Sequence, residues 1–234
     1  MEKVQCFSMW HFICKLSFGG IDNVTKSKYN LCYITMVIVK RNEIMPPRAK
    51  ITKEMIIDAA FEVAREMGAE NINARTVAKK LNCSTQPVMY HFATIEELKK
   101  ATYEKLDWYH TECLMKIEEP QKGTMIGIGI NYIRFAVEEP NLFRFLFQSG
   151  FAVENNLLEM IDSPELVPVI SAMQKAIGMN IEQTKKVFLT ISLFAHGYAS
   201  IIANNSLEYD EELIKSHLER AYRGAILAAQ EEMK

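Results

Sequence analysis

The 234-residue chain has little of what most enzyme classes require. Its five cysteines, Cys6, Cys14, Cys32, Cys83 and Cys113, are odd in number and contain no C-x-x-C pair, which argues against a disulfide framework and implies reduced thiols in a cytoplasmic setting. Cys6, His11, Cys14 and Cys32 match no paired-ligand spacing, so no metal or other cofactor is expected. There is no Ser/His/Asp or Cys/His constellation, no P-loop and no dinucleotide glycine pattern, and the expectation is a protein that is not an enzyme. No uninterrupted apolar run approaches the roughly 20 residues needed to span a bilayer, so no membrane partner is expected. Net charge is small, at -2. That balance hides an asymmetry. Residues 45–100 hold nine Lys/Arg against seven Asp/Glu, whereas residues 101–234 hold twelve against nineteen. Only the first part is suited to phosphate.

The informative stretch is Asn73 to Leu98, NARTVAKKLNCSTQPVMYHFATIEEL. Asn73 can cap a helix by accepting an orphan amide. Val77, Ala78 and Leu81 then share one face at helical spacing. Asn82 tolerates the left-handed conformation of a sharp exit. Ser84 is expected to cap a second short helix, with Pro87 in its first turn, and Thr94 with Glu97 forms a T-x-x-E capping box for a third. Two short helices joined by a tight turn form the helix-turn-helix plan, which places its second helix in the DNA major groove.

At A-K-K-L-N-C-S, at H-F-x-x-x-E-E-L from His91 to Leu98, and in the preceding helix Thr52 to Met67 with its exit Gly68, the chain resembles the TetR family of bacterial transcriptional regulators. The resemblance is specific over residues 51–98. It departs from the family at Asn82, where Gly is usual, at Met89, where Tyr often touches phosphate, and at Ala93 and Ile95, where Lys is common. It implies an all-α fold with an N-terminal three-helix module over residues 45–97 and a larger helical effector-binding and dimerisation domain over residues 98–234. It also implies a ligand-responsive repressor that binds a palindromic double-stranded DNA operator as a homodimer. An adaptor of the same fold acting through a protein partner, with weak or no specific DNA binding, is the alternative.

In this frame Thr85 and Gln86 are candidates for bonding base edges, and Val88 for touching a thymine methyl. Tyr90 and His91 are candidates for contacting phosphate, with Met89 at the family's Tyr position. Arg75, Thr76, Lys79, Ser84 and an arm carrying Arg48 and Lys50 would position the DNA backbone. Residues 1–44 look foreign to the rest, with a β-like run Leu31–Val39 and no helical period. Met45 is the expected natural start, followed by the basic opening Pro46-Pro-Arg-Ala-Lys50.

Helix 1 is expected after Thr52, with Met55, Ile56, Ala59, Ala60, Val63 and Met67 as its apolar stripe and Phe61 flanking. A long helix should run from Thr94 to about Glu119, stopped by Pro120 and reaching about 37 Å. Residues 124–139, apolar all round, mark a central buried helix. Asn141 is a candidate cap for the aromatic helix Leu142–Phe147. Ser163-Pro164 should open the next helix, which ends at Gly178. Asn180 with Gln183, and then Asp210, should cap the last two long helices. Small residues along those two suggest close packing of two copies as a four-helix bundle. Tyr198, Ile201, Leu218, Ala221, Tyr222 and Ala225 are the candidate dimer interface. Tyr132, Phe135, Phe143, Phe147, Met173, Phe194 and His196 are candidates for a pocket, and their aromatic character suggests a small hydrophobic effector.

Overall fold

A computed structural model describes residues 51–114, 116, 124–151, 161–162, 166–205 and 207–231. The leader, the Met45 start, Arg48, Lys50, the Pro120 stop and the Ser163-Pro164 cap lie outside the described residues. Within them the elements are nine α-helices and one 3-10 turn, with no strand. In chain order the helices are α1 (Lys53–Met67), α2 (Ala74–Lys80), α3 (Gln86–His91), α4 (Ile95–Leu114), α5 (Thr124–Glu138), α6 (Pro140–Gln148), α7 (Val167–Ile177), α8 (Ile181–Asn205) and α9 (Glu211–Glu231).

The caps explain most of these boundaries. Thr52 Oγ1 accepts from Met55 N–H at 3.2 Å and opens α1. Gly68, at φ 92°, closes it. Asn73 Oδ1 accepts from Arg75 and Thr76 N–H, and the Thr76 hydroxyl in turn accepts from Asn73 N–H at 3.1 Å. Two orphan donors are thereby satisfied reciprocally at the start of α2. At α4 the Thr94 hydroxyl accepts from Glu97 N–H, but the Glu97 carboxylate reaches Ala93 N–H, one residue before the expected partner. Asn180 and Gln183 bond each other across the start of α8, and Asp210 accepts from Leu213 N–H at the start of α9.

Asn82 sits at φ 51°, the one non-glycine residue at positive φ among the described residues. Alanine there meets the Cβ clash of the left-handed region, whereas glycine does not. Asn82→Ala is expected to lower unfolding free energy by about 1 kcal/mol and Asn82→Gly to leave it level or raised. Urea denaturation of both variants checks this, and equal midpoints would contradict it.

Several boundaries and faces differ from expectation. Ser84 makes no cap, and α3 starts after Thr85, which also makes no side-chain cap bond. Pro140 opens α6 rather than merely ending α5. Asn141 lies inside α6, where its amide donates to Arg65 O. On α1 the buried set is Ile56, Ala59, Ala60, Phe61, Val63 and Ala64, while Met55 and Met67 are exposed. Phe61 is drawn inward by α4, where it packs edge-on to Tyr109 at 5.4 Å.

α1 packs on α2, α3, α4 and α6, while α8 packs on α5, α6, α7 and α9. α4 therefore belongs to both halves: it packs on α1 and also on α5 and α6. A polar seam reinforces the junction. Arg65 pairs with Glu139 at 3.1 Å and stacks over Phe61 and Tyr109, and the Tyr109 hydroxyl also donates to Glu139. Arg144 of α6 continues the seam to Asn141, Asn204 and the Ala203 carbonyl at the end of α8. Tyr103 of α4 donates to the Leu146 carbonyl of α6 at 3.1 Å.

α8 has the length and low charge to cross a bilayer by those criteria alone. One face of it, carrying Val187, Phe188, Ile191, Ala195, Ala199 and Ile202, is instead buried in the core of this fold.

Candidate nucleic-acid interface and effector site

The outward surface of α2, the turn and α3 presents Arg75, Lys79, Ser84, Thr85, Gln86, Met89 and Tyr90, all exposed. Tyr90 is 79% exposed, unusual for so large an aromatic ring without a partner surface. Thr85 and Gln86 stand at the start of α3, where a recognition helix first meets base edges.

Three of the proposed contact residues are otherwise occupied. Val88 is 0% exposed and belongs to the core with Val77, Phe92 and Leu98, so it cannot touch a thymine methyl. On a six-residue helix the inward face takes about every third or fourth position, and Val88 is the residue that anchors α3 to α1 and α2. The Thr76 hydroxyl is spent on Asn73 N–H and the Asn71 carbonyl. His91 is half-buried, and its Nε2 lies 3.1 Å from the Ile51 carbonyl. That contact ties the end of α3 to the residues just before α1, so His91 helps to position α3.

In the larger domain five of the seven pocket candidates come together. Tyr132, Phe135, Phe143, Phe147 and His196 form one ring cluster, with neighbouring centroids 4.9–6.3 Å apart among the pairs Tyr132–Phe143, Tyr132–Phe147, Tyr132–His196, Phe143–Phe147, Phe143–His196 and Phe147–His196. Phe135 joins through His110, at 4.5 Å. The Tyr132 hydroxyl and His196 Nδ1 are 2.8 Å apart. Burial pushes the Tyr132 phenol far up and the His196 imidazole down, so both are neutral near pH 7. Met173 is buried on α7 within the same continuous core.

Phe194 is the misplaced candidate. It is exposed on α8, packs on Tyr198 at 5.9 Å, and lines a groove of about 550 Å³ with Lys186, Thr190, Ala221, Gly224, Ala225 and Ala228. Phe194 and His196 are two residues apart, about 200° around a helix, so they face opposite sides.

His110, not anticipated, is the cluster's hub, with rings of Tyr132, Phe135 and Phe147 within 5.5 Å. On α4, three- and four-residue spacing marks Leu98, Thr102, Leu106, Tyr109 and Cys113 as a stripe; Leu98, Thr102 and Leu106 are buried, and Tyr109 and Cys113 are the exceptions. Both are only half-buried, and the core face is Leu106, Asp107, His110, Thr111 and Leu114. Polar residues at core positions hid that face from a hydrophobicity reading.

The groove beside Phe194 continues the outer faces of α8 and α9. Ile201 is 53% exposed, and Leu193, Leu213 and Leu227 are exposed as well. Tyr198, Ala221, Tyr222 and Ala225 are half-buried on the same pair of helices. Leu218 does not join them. It is 1% exposed and turns inward, to within ordinary contact of the space beside Gly129 of α5.

No family model matches the chain. It is 24% identical over 177 residues to the uncharacterized HTH-type transcriptional regulator YobS of Bacillus subtilis (strain 168), covering 74% of this chain and 90% of that one. Among solved structures, a TetR-like transcriptional regulator from Rhodococcus sp. RHA1 matches with a TM-score of 0.52 and 15% identity, over 77% of this chain and 98% of that chain. A TetR family member from Streptomyces coelicolor A3 matches with a TM-score of 0.47 and 19% identity, over 72% and 96%. The arrangement of helices, with a helix-turn-helix joined through α4 and α6 to a larger helical bundle, is the TetR-type all-α fold.

Proposed function

We propose that this chain is a DNA-binding transcriptional regulator that reads a palindromic operator as a homodimer and is released by a small hydrophobic effector. The observation that carries the reading is α3 itself: Val88 locks it to the module while Thr85, Gln86, Met89 and Tyr90 stand outward. The relative from Bacillus subtilis, named as an HTH-type regulator, supports the same assignment.

A two-fold dimer would space two copies of α3 about 34–36 Å apart, one turn of duplex. The face of α8 and α9 supports such a dimer, because exposed Ile201, Leu213 and Leu227 beside small Ala and Gly residues suit close helix packing. Ala225→Glu would bury a carboxylate in that contact. It is expected to leave helicity intact and shift sedimentation from dimer to monomer, while an unchanged dimer would count against this face.

The effector would sit against the Tyr132 and His196 cluster. It would act by favouring one dimer geometry over another by a few kcal/mol. The junction seam of Arg65, Glu139, Asn141 and Arg144 gives that preference a physical route to α1.

The test is selection of bound sequences from random duplex DNA, followed by mobility shift across a salt series. A palindromic consensus and a steep salt slope of about -0.9 per phosphate neutralised support the regulator. Failure to enrich any sequence supports the adaptor, whose motivating observation is that Met89, Ala93 and Ile95 offer no phosphate donor of their own side chains.

A further inference from the structure

Among the described residues, the only buried side-chain nitrogen or oxygen atoms without a hydrogen-bond partner are the two ring nitrogens of His110. Buried polar groups are normally paired, and an orphan needs a reason. Three polar side chains around this cluster have partners of their own. The Tyr132 hydroxyl is bonded to His196. The Tyr109 hydroxyl is held by Glu139, which also pairs with Arg65. Asp107, buried one turn before His110, has interactions of its own. His110 is walled by Tyr132, Phe135 and Phe147, with the Phe135 ring at 4.5 Å. Phe147 and His196 are only half-buried, so the cluster reaches solvent on their side.

We infer that His110 is the polar anchor of the effector site, and that the effector class is a compact uncharged aromatic molecule with one hydroxyl or ring nitrogen that bonds its imidazole. The inference rests on the regulator reading and specifies its ligand. A neutral imidazole carries one donor and one acceptor, so it suits either a phenolic hydroxyl or a heteroaromatic nitrogen. An ion would lose its hydration among rings with no free counter-charge. A purely apolar ring would leave both nitrogens orphaned, and a site built to bond a polar group discriminates against the analogue lacking it. Entry requires the Phe147 ring to move. Phe147 lies on α6, the helix that also packs on α1, so filling the site bears on the reading module.

The experiment is isothermal titration of the full-length protein with phenol, with toluene, which matches phenol in heavy-atom count without the hydroxyl, and with phenyltrimethylammonium. Wild type is expected to bind phenol at least about tenfold more tightly than toluene. His110→Gln, which keeps a donor and an acceptor, retains a preference for phenol, and His110→Phe loses it while staying folded by circular dichroism. No binding of phenol, equal binding of phenol and toluene, tightest binding of the cation, or a phenol preference that survives His110→Phe would each overturn the inference. If selected DNA is still bound in any of those cases, the regulator reading stands without it. If no DNA is selected either, that reading fails with it.

Discussion

Gln86→Ala combined with Thr85→Ala is expected to abolish sequence-selective DNA binding while leaving the thermal midpoint unchanged. Both side chains are exposed and neither makes a capping bond. Removing them costs the fold little, since exposed substitutions away from caps and cores are usually within about 0.5 kcal/mol. A good side-chain pair to a base edge contributes about 1–3 kcal/mol of discrimination, so losing two should weaken the selected site by roughly a hundredfold or more while non-specific binding persists. Val88→Ala should do the reverse. Its side chain is fully buried, and truncating a buried aliphatic residue costs on the order of 2 kcal/mol, so the module loosens before any base contact is lost. Mobility shifts against selected and scrambled duplexes, paired with thermal melts, separate the two behaviours. Full selectivity in the double variant would remove α3 as the reading element.

Acidification is the second large effect. Burial holds the His110 imidazole at about 3, well under the ordinary 6.5. The unfolded chain therefore takes up this proton before the folded chain does. Stability is fullest above about pH 6.5 and falls as pH drops towards 3, by up to about 1.4 kcal/mol per pH unit from this one group. His196, half-buried and also shifted down, adds to the loss in the same direction. In His110→Phe the slope between about pH 6 and pH 4 should be shallower by close to one proton. Comparing the two proteins cancels the carboxylates, which titrate in both. Urea midpoints measured at several pH values give the slopes, and identical slopes would show that His110 is not held neutral. The same variant should be more stable at pH 7, because a buried unpaired polar group costs about 1–3 kcal/mol.

Much of the architecture was legible in the residues because helix ends are local. Thr52, Asn73, Asn180 and Asp210 cap the helices they precede through hydrogen bonds spanning two or three residues. Asn82 and Gly178 adopt the left-handed backbone their positions call for. Five members of the aromatic cluster are among the aromatic residues that the family resemblance points to in the middle helices. Errors arose where a choice between faces depends on partners distant in sequence. Val88 reads as a plausible groove residue until α1 and α2 close over it. Phe194 and His196 read as neighbours until α8 places one in the groove and the other in the cluster. Leu218 looks like an interface leucine until Gly129 of α5 leaves room for it.

Chain order alone thus determined the capped starts at Thr52, Asn73, Asn180 and Asp210, that the first module has the helix-turn-helix plan, and that the phosphate-compatible charge lies at one end. The tertiary structure decided which side of each helix is buried. It gathered His110 into a ring of aromatics with its nitrogens unpaired, and it turned His91 from a phosphate contact into a tether on Ile51. The reason is the range of the forces. Capping and backbone conformation are set within one turn of helix, whereas burial is set by whichever surfaces meet, and those come from segments 40 or more residues apart, as in the His91–Ile51 and Tyr103–Leu146 bonds.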